Sequence, residues 1–220
     1  MGTLGLILMV LYTTLFARES DDALDFIRSH AAEIRKETPA LTPDERLAAM
    51  AIVAPELSQY STVTDFFELR ALFITYRNFG RGNFSVGYFQ MKPSFIEEME
   101  RQVRANASLK KRYASYLPKG DEKKQRETRL ERLSTLQWQL RYLQLFIELA
   151  KIKTAGMHFK TPEEMVRYWA TLYNSGLNLS PAKVAEMQKK RLFPSRNSQF
   201  NYSDVALEFY QALKKMRIFT

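Results

Sequence analysis

Two four-residue runs do most to limit what this chain can fold into. "TPDE" at 42–45 and "TPEE" at 161–164 each offer a threonine whose hydroxyl can accept from a backbone N–H at a helix start. A proline follows at the one helical position where its missing N–H is no loss, and a glutamate placed to reach back to the cap. A chain punctuated in this way starts helices at fixed points. "SPAK" at 180–183 repeats the Ser-Pro part, and Ser203-Asp204 opens a last helix whose Val205, Ala206, Phe209, Tyr210 and Leu213 share one face. The same signals and spacings predict helices over 21–37, 43–59, 63–78, 94–115, 126–153, 162–174, 181–190 and 203–216. In the longest, Leu133, Leu136, Leu140, Leu143, Ile147 and Ala150 step by three or four, a core-facing stripe. Only "FSVGYF" (84–89) reads as a short extended piece, so the expected class is all-α. "LPKGDEKKQRET" (117–128), polar and charged with Pro and Gly, reads as a linker or exposed loop.

The first 17 residues, "MGTLGLILMVLYTTLFA", carry no charge. They fall short of the about 20 apolar residues of a membrane span and fit the apolar region of an export signal cut after Ala17. The expectation is an exported protein, periplasmic or in the cell envelope, with one domain over 18–220. An uncleaved anchor or a buried N-terminal helix are the alternatives. The chain has no cysteine, which excludes disulfides, thiolate nucleophiles and thiolate metal sites. His30 and His158 show no metal-ligand spacing, and neither a metal nor a cofactor is expected.

Thirty-three Lys and Arg against 24 Asp and Glu leave a formal charge of +9. The basic residues cluster at 109–132 and 189–196. For an exported protein the matching partner is an anionic cell-envelope polymer; a solvated charged face is the plain alternative. Nucleic acid would suit an internal protein, but only Tyr113 and Tyr116 stand near a basic cluster to stack bases, and none is expected as a partner.

Glu56 ends an apolar run, "AIVAPELSQYS" (51–61). A carboxyl losing hydration there favours its protonated form, as a glycosidase acid requires near neutral pH; an exposed helix-end residue is the alternative. The stretch "NFSVGYFQMKPSF" (83–95) is too irregular for a packing stripe and too apolar for a solvated loop. Gly87 would let backbone approach a ligand, and the Gln90 amide both donates and accepts, as sugar hydroxyls demand. Met91, Phe89 and Tyr88 add apolar surface. A tight turn that packs its own aromatics is the competing reading.

"SVGYFQMKP" resembles the Gly-x-x-Gln-x-x-Pro element of the lysozyme-like superfamily, in particular soluble lytic transglycosylases and goose-type lysozymes. "ATLYNSGL" (170–177) resembles that family's Ala-Tyr-Asn-x-Gly element, and "FNYSDVALEFYQAL" (200–213) its Tyr-containing terminal helix. With Glu56 at the glutamate position these elements run in family order over 45–213. Two departures stand out: Leu57 occupies the usual serine position, and "TDFFELRALFITYRNFG" (64–80) replaces a shorter loop.

The resemblance implies a lysozyme-like helical domain with a glycan cleft and additional C-terminal helices. It implies cleavage of the β-1,4 bond between N-acetylmuramic acid and N-acetylglucosamine in peptidoglycan, with Glu56 as acid and then base and a 1,6-anhydro product. Tyr173 and Asn174 would position the N-acetyl group and hold Glu56, while Ser85, Gly87, Gln90 and Met91 would line the sugar subsites. A hydrolytic lysozyme would need a second carboxylate, for which Asp65 and Glu68 are the nearest in sequence. A non-catalytic helical module binding glycan or protein is the remaining alternative.

Overall fold

A computed structural model of the chain describes residues 20–59, 66–193 and 200–219. They form eleven α-helices: α1 (20–29), α2 (Ala31–Glu37), α3 (Pro43–Gln59), α4 (Phe66–Phe79), α5 (Pro93–Ala105), α6 (Ala107–Arg112), α7 (Glu122–Leu133), α8 (Leu136–Lys153), α9 (Pro162–Ser175), α10 (Pro181–Met187) and α11 (Tyr202–Met216). Among the described residues there is no strand, only the isolated bridges Val86–Met91 and Phe193–Phe200. The protein is all-α.

The helix starts follow the capping chemistry. At α3, the Glu45 N–H donates to the Thr42 hydroxyl (3.2 Å) and the Thr42 N–H to the Glu45 carboxylate (2.9 Å), a complete capping box. Thr161 caps α9 and Ser180 caps α10. Three expected helices are broken, the first being 21–37, which divides at His30 between α1 and α2. The run 94–115 divides at Asn106, whose extended backbone ends α5 while its side chain accepts from Leu109 N and starts α6. The run 126–153 divides at Ser134-Thr135, where Ser134 closes α7 and Thr135 caps α8. The apolar stripe continues across that break, but two adjacent hydroxyls compete for the backbone and win locally.

The expected linker 117–128 also changes. Asp121 accepts from Lys124 N and opens α7 at Glu122, so only 117–121 are loop. Arg129 from α7 then makes a bidentate pair with Glu100 of α5 (2.9 and 2.8 Å), both buried. Much of the basic run 109–132 is spent in this way: Arg112, Lys124, Arg126 and Arg129 all face carboxylates. Lys110, Lys111, Lys119 and Lys123 stay exposed.

At the centre lies α8, buried on nearly every side through Leu140, Tyr142, Leu143, Leu145, Phe146, Ile147, Leu149 and Ala150. Around it α3, α9 and α11 pack on one another, the α3–α11 contact being the most extensive. Glu56 stands on the last turn but one of α3, and Tyr173 on the last turn of α9. These helix ends, with the start of α5, frame the site.

Candidate functional site

Pro55 lies inside α3, one residue before Glu56. It has no N–H to give to the carbonyl four residues back, and its ring crowds that carbonyl. The helical ladder is therefore interrupted just where the acid stands. The Ile52 carbonyl, in the same turn, accepts the hydroxyl of Tyr202 from α11 (2.9 Å).

The turn 86–91 supplies the opposite wall. Val86 and Met91 exchange both backbone hydrogen bonds (3.0 and 3.1 Å), which closes a tight loop. Gly87 takes φ +73°, and a Cβ there would stand 1.6 Å from Gln139 Nε2 and 2.7 Å from the Leu133 carbonyl. The close approach expected between Gly87 and a ligand is thus an approach to α8 instead. Gln139 itself is fully buried; it donates to the Leu133 carbonyl and accepts from Phe89 N (2.8 Å). Phe89 is core, and Tyr88 packs on Phe26 rather than on the site. Gln90 adopts φ +46°, rare for a residue with a side chain, and its amide donates to the Gly87 carbonyl (2.8 Å). One N–H and the amide oxygen remain for a ligand.

A cleft of about 500 Å³ opens between these parts. Its walls include Glu56, Ser85, Gln90, Met91, Tyr173 and Asn174, so of the acid and sugar-contacting residues expected from the resemblance all but Gly87 line it, while Tyr88 and Phe89 do not. Tyr173 is fixed by edge-to-face contacts with Phe95 (5.5 Å) and Phe146 (5.3 Å). Its hydroxyl donates to the Phe89 carbonyl (2.6 Å), pinning the 86–91 turn to α9. Asn174 is exposed at the cleft edge, and Gly176 (φ +119°) ends α9 and turns the chain along the rim.

Glu56 is only partly exposed. Burial pushes its carboxyl up to about 7, against the smaller pull of a hydrogen bond from Tyr202 and the charge of Lys92. Tyr202 can serve both protonation states. Its single hydrogen can go to an ionised Glu56; directed to Ile52, it leaves an oxygen free to accept from the protonated acid. The Tyr173 and Tyr202 phenols are raised well above their usual value, first by burial and then by the nearby Glu56. Both remain hydroxyls wherever Glu56 titrates.

A second carboxylate, Glu98 of α5, lines the same cleft. Burial raises its pKa, but hydrogen bonds from Gln102 and Asn178 and the charge of Arg101 outweigh this and hold it low. The cleft therefore pairs a carboxyl that is protonated near neutrality with one that is ionised. Of the two carboxylates expected from sequence proximity, Asp65 lies outside the described residues, as does the side chain of Glu68. Sequence reading missed Glu98, although the i, i+4 step from Ser94 puts it on the same helix face just beyond the loop. It missed Tyr202 too, although that residue stands inside the quoted run 200–213.

Compared with protein-family models, with curated proteins and with solved structures, the chain matches none.

Proposed function

We propose that the protein is a peptidoglycan lytic transglycosylase with Glu56 as its single acid and base. The observation that carries this reading is a carboxyl raised to about 7 at the floor of a cleft lined by amide, hydroxyl and thioether side chains. An acid titrating near the working pH suits proton transfer in both directions.

In the first step the Glu56 O–H protonates the glycosidic oxygen, and the bond from that oxygen to the muramic C1 breaks. The departing N-acetylglucosamine keeps the proton as its 4-hydroxyl. The substrate's own N-acetyl oxygen stabilises C1, as in other substrate-assisted glycosidases, with Tyr173 and Asn174 beside it. In the second step the Glu56 carboxylate takes the proton of the muramic 6-hydroxyl as that oxygen bonds to C1. A 1,6-anhydro ring closes, no water is consumed and Glu56 is protonated again. Tyr202 follows the cycle by donating to the carboxylate and accepting from the acid. Ser85 and Gln90 face the sugars, with the buried Met91 behind them.

The signal-like residues 1–17 support an address in the periplasm or cell envelope, where such a glycan would be met; among the described residues no helix is long and apolar enough to cross a membrane. The exposed lysines of 110–123 suit an anionic envelope polymer as partner.

Digestion of purified peptidoglycan tests the reading. Wild type should release anhydromuramic ends, one water lighter by mass than hydrolytic ends. Glu56→Gln, which keeps the shape and loses the proton, should cut at least about 10²-fold more slowly while still binding glycan. Glu98 favours a second reading, hydrolysis with Glu98 activating water, since a raised and a lowered carboxyl in one cleft fit acid and base. Reducing ends that disappear in Glu98→Gln would select it. Binding without cutting in both wild type and Glu56→Gln would leave a glycan-binding module.

A further inference from the structure

Among the described residues three charged side chains line the cleft: Glu56 from α3, Lys92 at the start of α5 and Glu98 in its second turn. Burial takes much of the charge from Glu56. Glu98 keeps its charge but is taken up, since Arg101 pairs with it and Gln102 donates to it at 2.9 Å. Lys92 is exposed, and among the described residues no carboxylate pairs with it. Its ammonium is the charge on the cleft wall left over for a ligand. Lys92 is also the N-cap residue of α5, whose first turn holds no acidic side chain, so the positive end of the helix adds to the same sign. Ser94, two residues on, lines the cleft as well and offers a hydroxyl.

A neutral sugar leaves such an ammonium unanswered. N-acetylmuramic acid does not, because its C3 carries an ether-linked lactyl group that ends in a carboxyl. In strands that bear stem peptides this carboxyl is a neutral amide; in strands stripped of them it is a carboxylate. The position fits too. Glu56 acts on the bond at C1 of the muramic ring, and C3 belongs to the same ring, so the lactyl carboxyl is the substrate's nearest acidic group. Lys92 stands near enough to Glu56 for its charge to act on that carboxyl, and its ammonium swings on a long flexible stem. One sugar can therefore span the two.

We propose that Lys92 pairs with the free lactyl carboxylate of the muramic sugar beside Glu56, so that the cleft selects glycan strands without stem peptides. The Ser94 hydroxyl donates to the same carboxylate. This pairing rests on the cleft being a peptidoglycan site and holds for either mode of cleavage. It also sets an order of events: hydrolysis of the amide between lactyl group and stem must come first. Once such a sugar is seated, its carboxylate offsets the Lys92 charge and leaves burial to hold the proton on Glu56.

Calorimetry on full-length Glu56→Gln, which should bind without cutting, compares four tetrasaccharides. Three alternate N-acetylglucosamine with N-acetylmuramic acid and carry lactyl groups as free carboxylates, as methyl amides or joined to stem peptides; the fourth is chitotetraose. The free acid should bind about fivefold or more tightly than each of the others, the effect of one charged pair on an open wall. Adding Lys92→Gln should make acid and methyl amide bind alike, whereas Lys92→Arg should keep the preference. Lys92 is exposed, so neither change threatens the fold. In otherwise wild-type protein, Lys92→Gln should raise the midpoint of the Glu56 titration followed by NMR, because the charge that opposes burial is gone. Equal affinity for acid and amide, a preference that survives Lys92→Gln, an unmoved midpoint, or stem-bearing strands bound as tightly as bare ones would overturn the proposal and leave the glycan reading standing. Binding of none of the four would overturn both.

Discussion

The Tyr173 hydroxyl does two jobs. It lies near enough to Glu56 to feel its charge, and it satisfies the buried Phe89 carbonyl at 2.6 Å. Tyr173→Phe should therefore lower turnover by about ten- to thousand-fold, the range for a lost positioning bond. It should also cost about 1–3 kcal/mol of stability, because a buried carbonyl is left without its donor. The sequence alone suggests only the first effect, since nothing in "ATLYNSGL" reveals where the hydroxyl points. Turnover on peptidoglycan and urea melts of the variant check the two parts separately. Full activity would remove Tyr173 from the site; unchanged stability would mean that Phe89 finds another donor.

At the scale of elements, the 86–91 turn is held by α8 and α9 rather than by itself. Gly87→Ala would drive a Cβ into Gln139 Nε2 at 1.6 Å and hold alanine at φ +73°. The turn must then leave Gln139, and Gln90 and Met91 leave the cleft with it. The expected result is a loss of more than about 2 kcal/mol, combining backbone strain with orphaned buried polar groups, and loss of glycan binding even though Gly87 touches no glycan. A melt and a binding assay check this; an alanine variant that binds normally would show that the turn is not fixed from α8. The starts of α3, α9 and α10 were legible because Thr-Pro and Ser-Pro caps are local chemistry. The breaks at Asn106 and Ser134-Thr135 were not, because the apolar stripes run on across them. The start of α7 was hidden by its charges, which resemble a solvated loop until Arg129 is seen to meet Glu100. In the site, Glu56, Gln90 and Tyr173 could be picked out from spacing and resemblance. Glu98 and Tyr202 could not, since their roles exist only once α5 and α11 have packed on α3.

Across the whole molecule, an acid kept protonated is a cost to the fold at high pH. The folded value of Glu56, about 7, lies above its ordinary 4.5, so its contribution to stability is fully present below 4.5 and is lost as pH rises through 7. The loss amounts to at most about 3 kcal/mol. Glu56→Gln escapes it, so its stability relative to wild type should rise by up to that amount between pH 4 and pH 8. Paired urea melts at both ends of the range check this, and a constant difference would mean that the carboxyl is not perturbed. Activity and stability then oppose each other at one residue, as expected of a working acid in a dry site. The most direct measurement is the titration of the Glu56 carboxyl itself, by NMR of isotope-labelled glutamate with Glu56→Gln to assign the signal. The account predicts a midpoint near 7. A midpoint near the ordinary 4.5 would contradict it, because Glu56 would then reach the glycosidic oxygen already stripped of the proton it is meant to give.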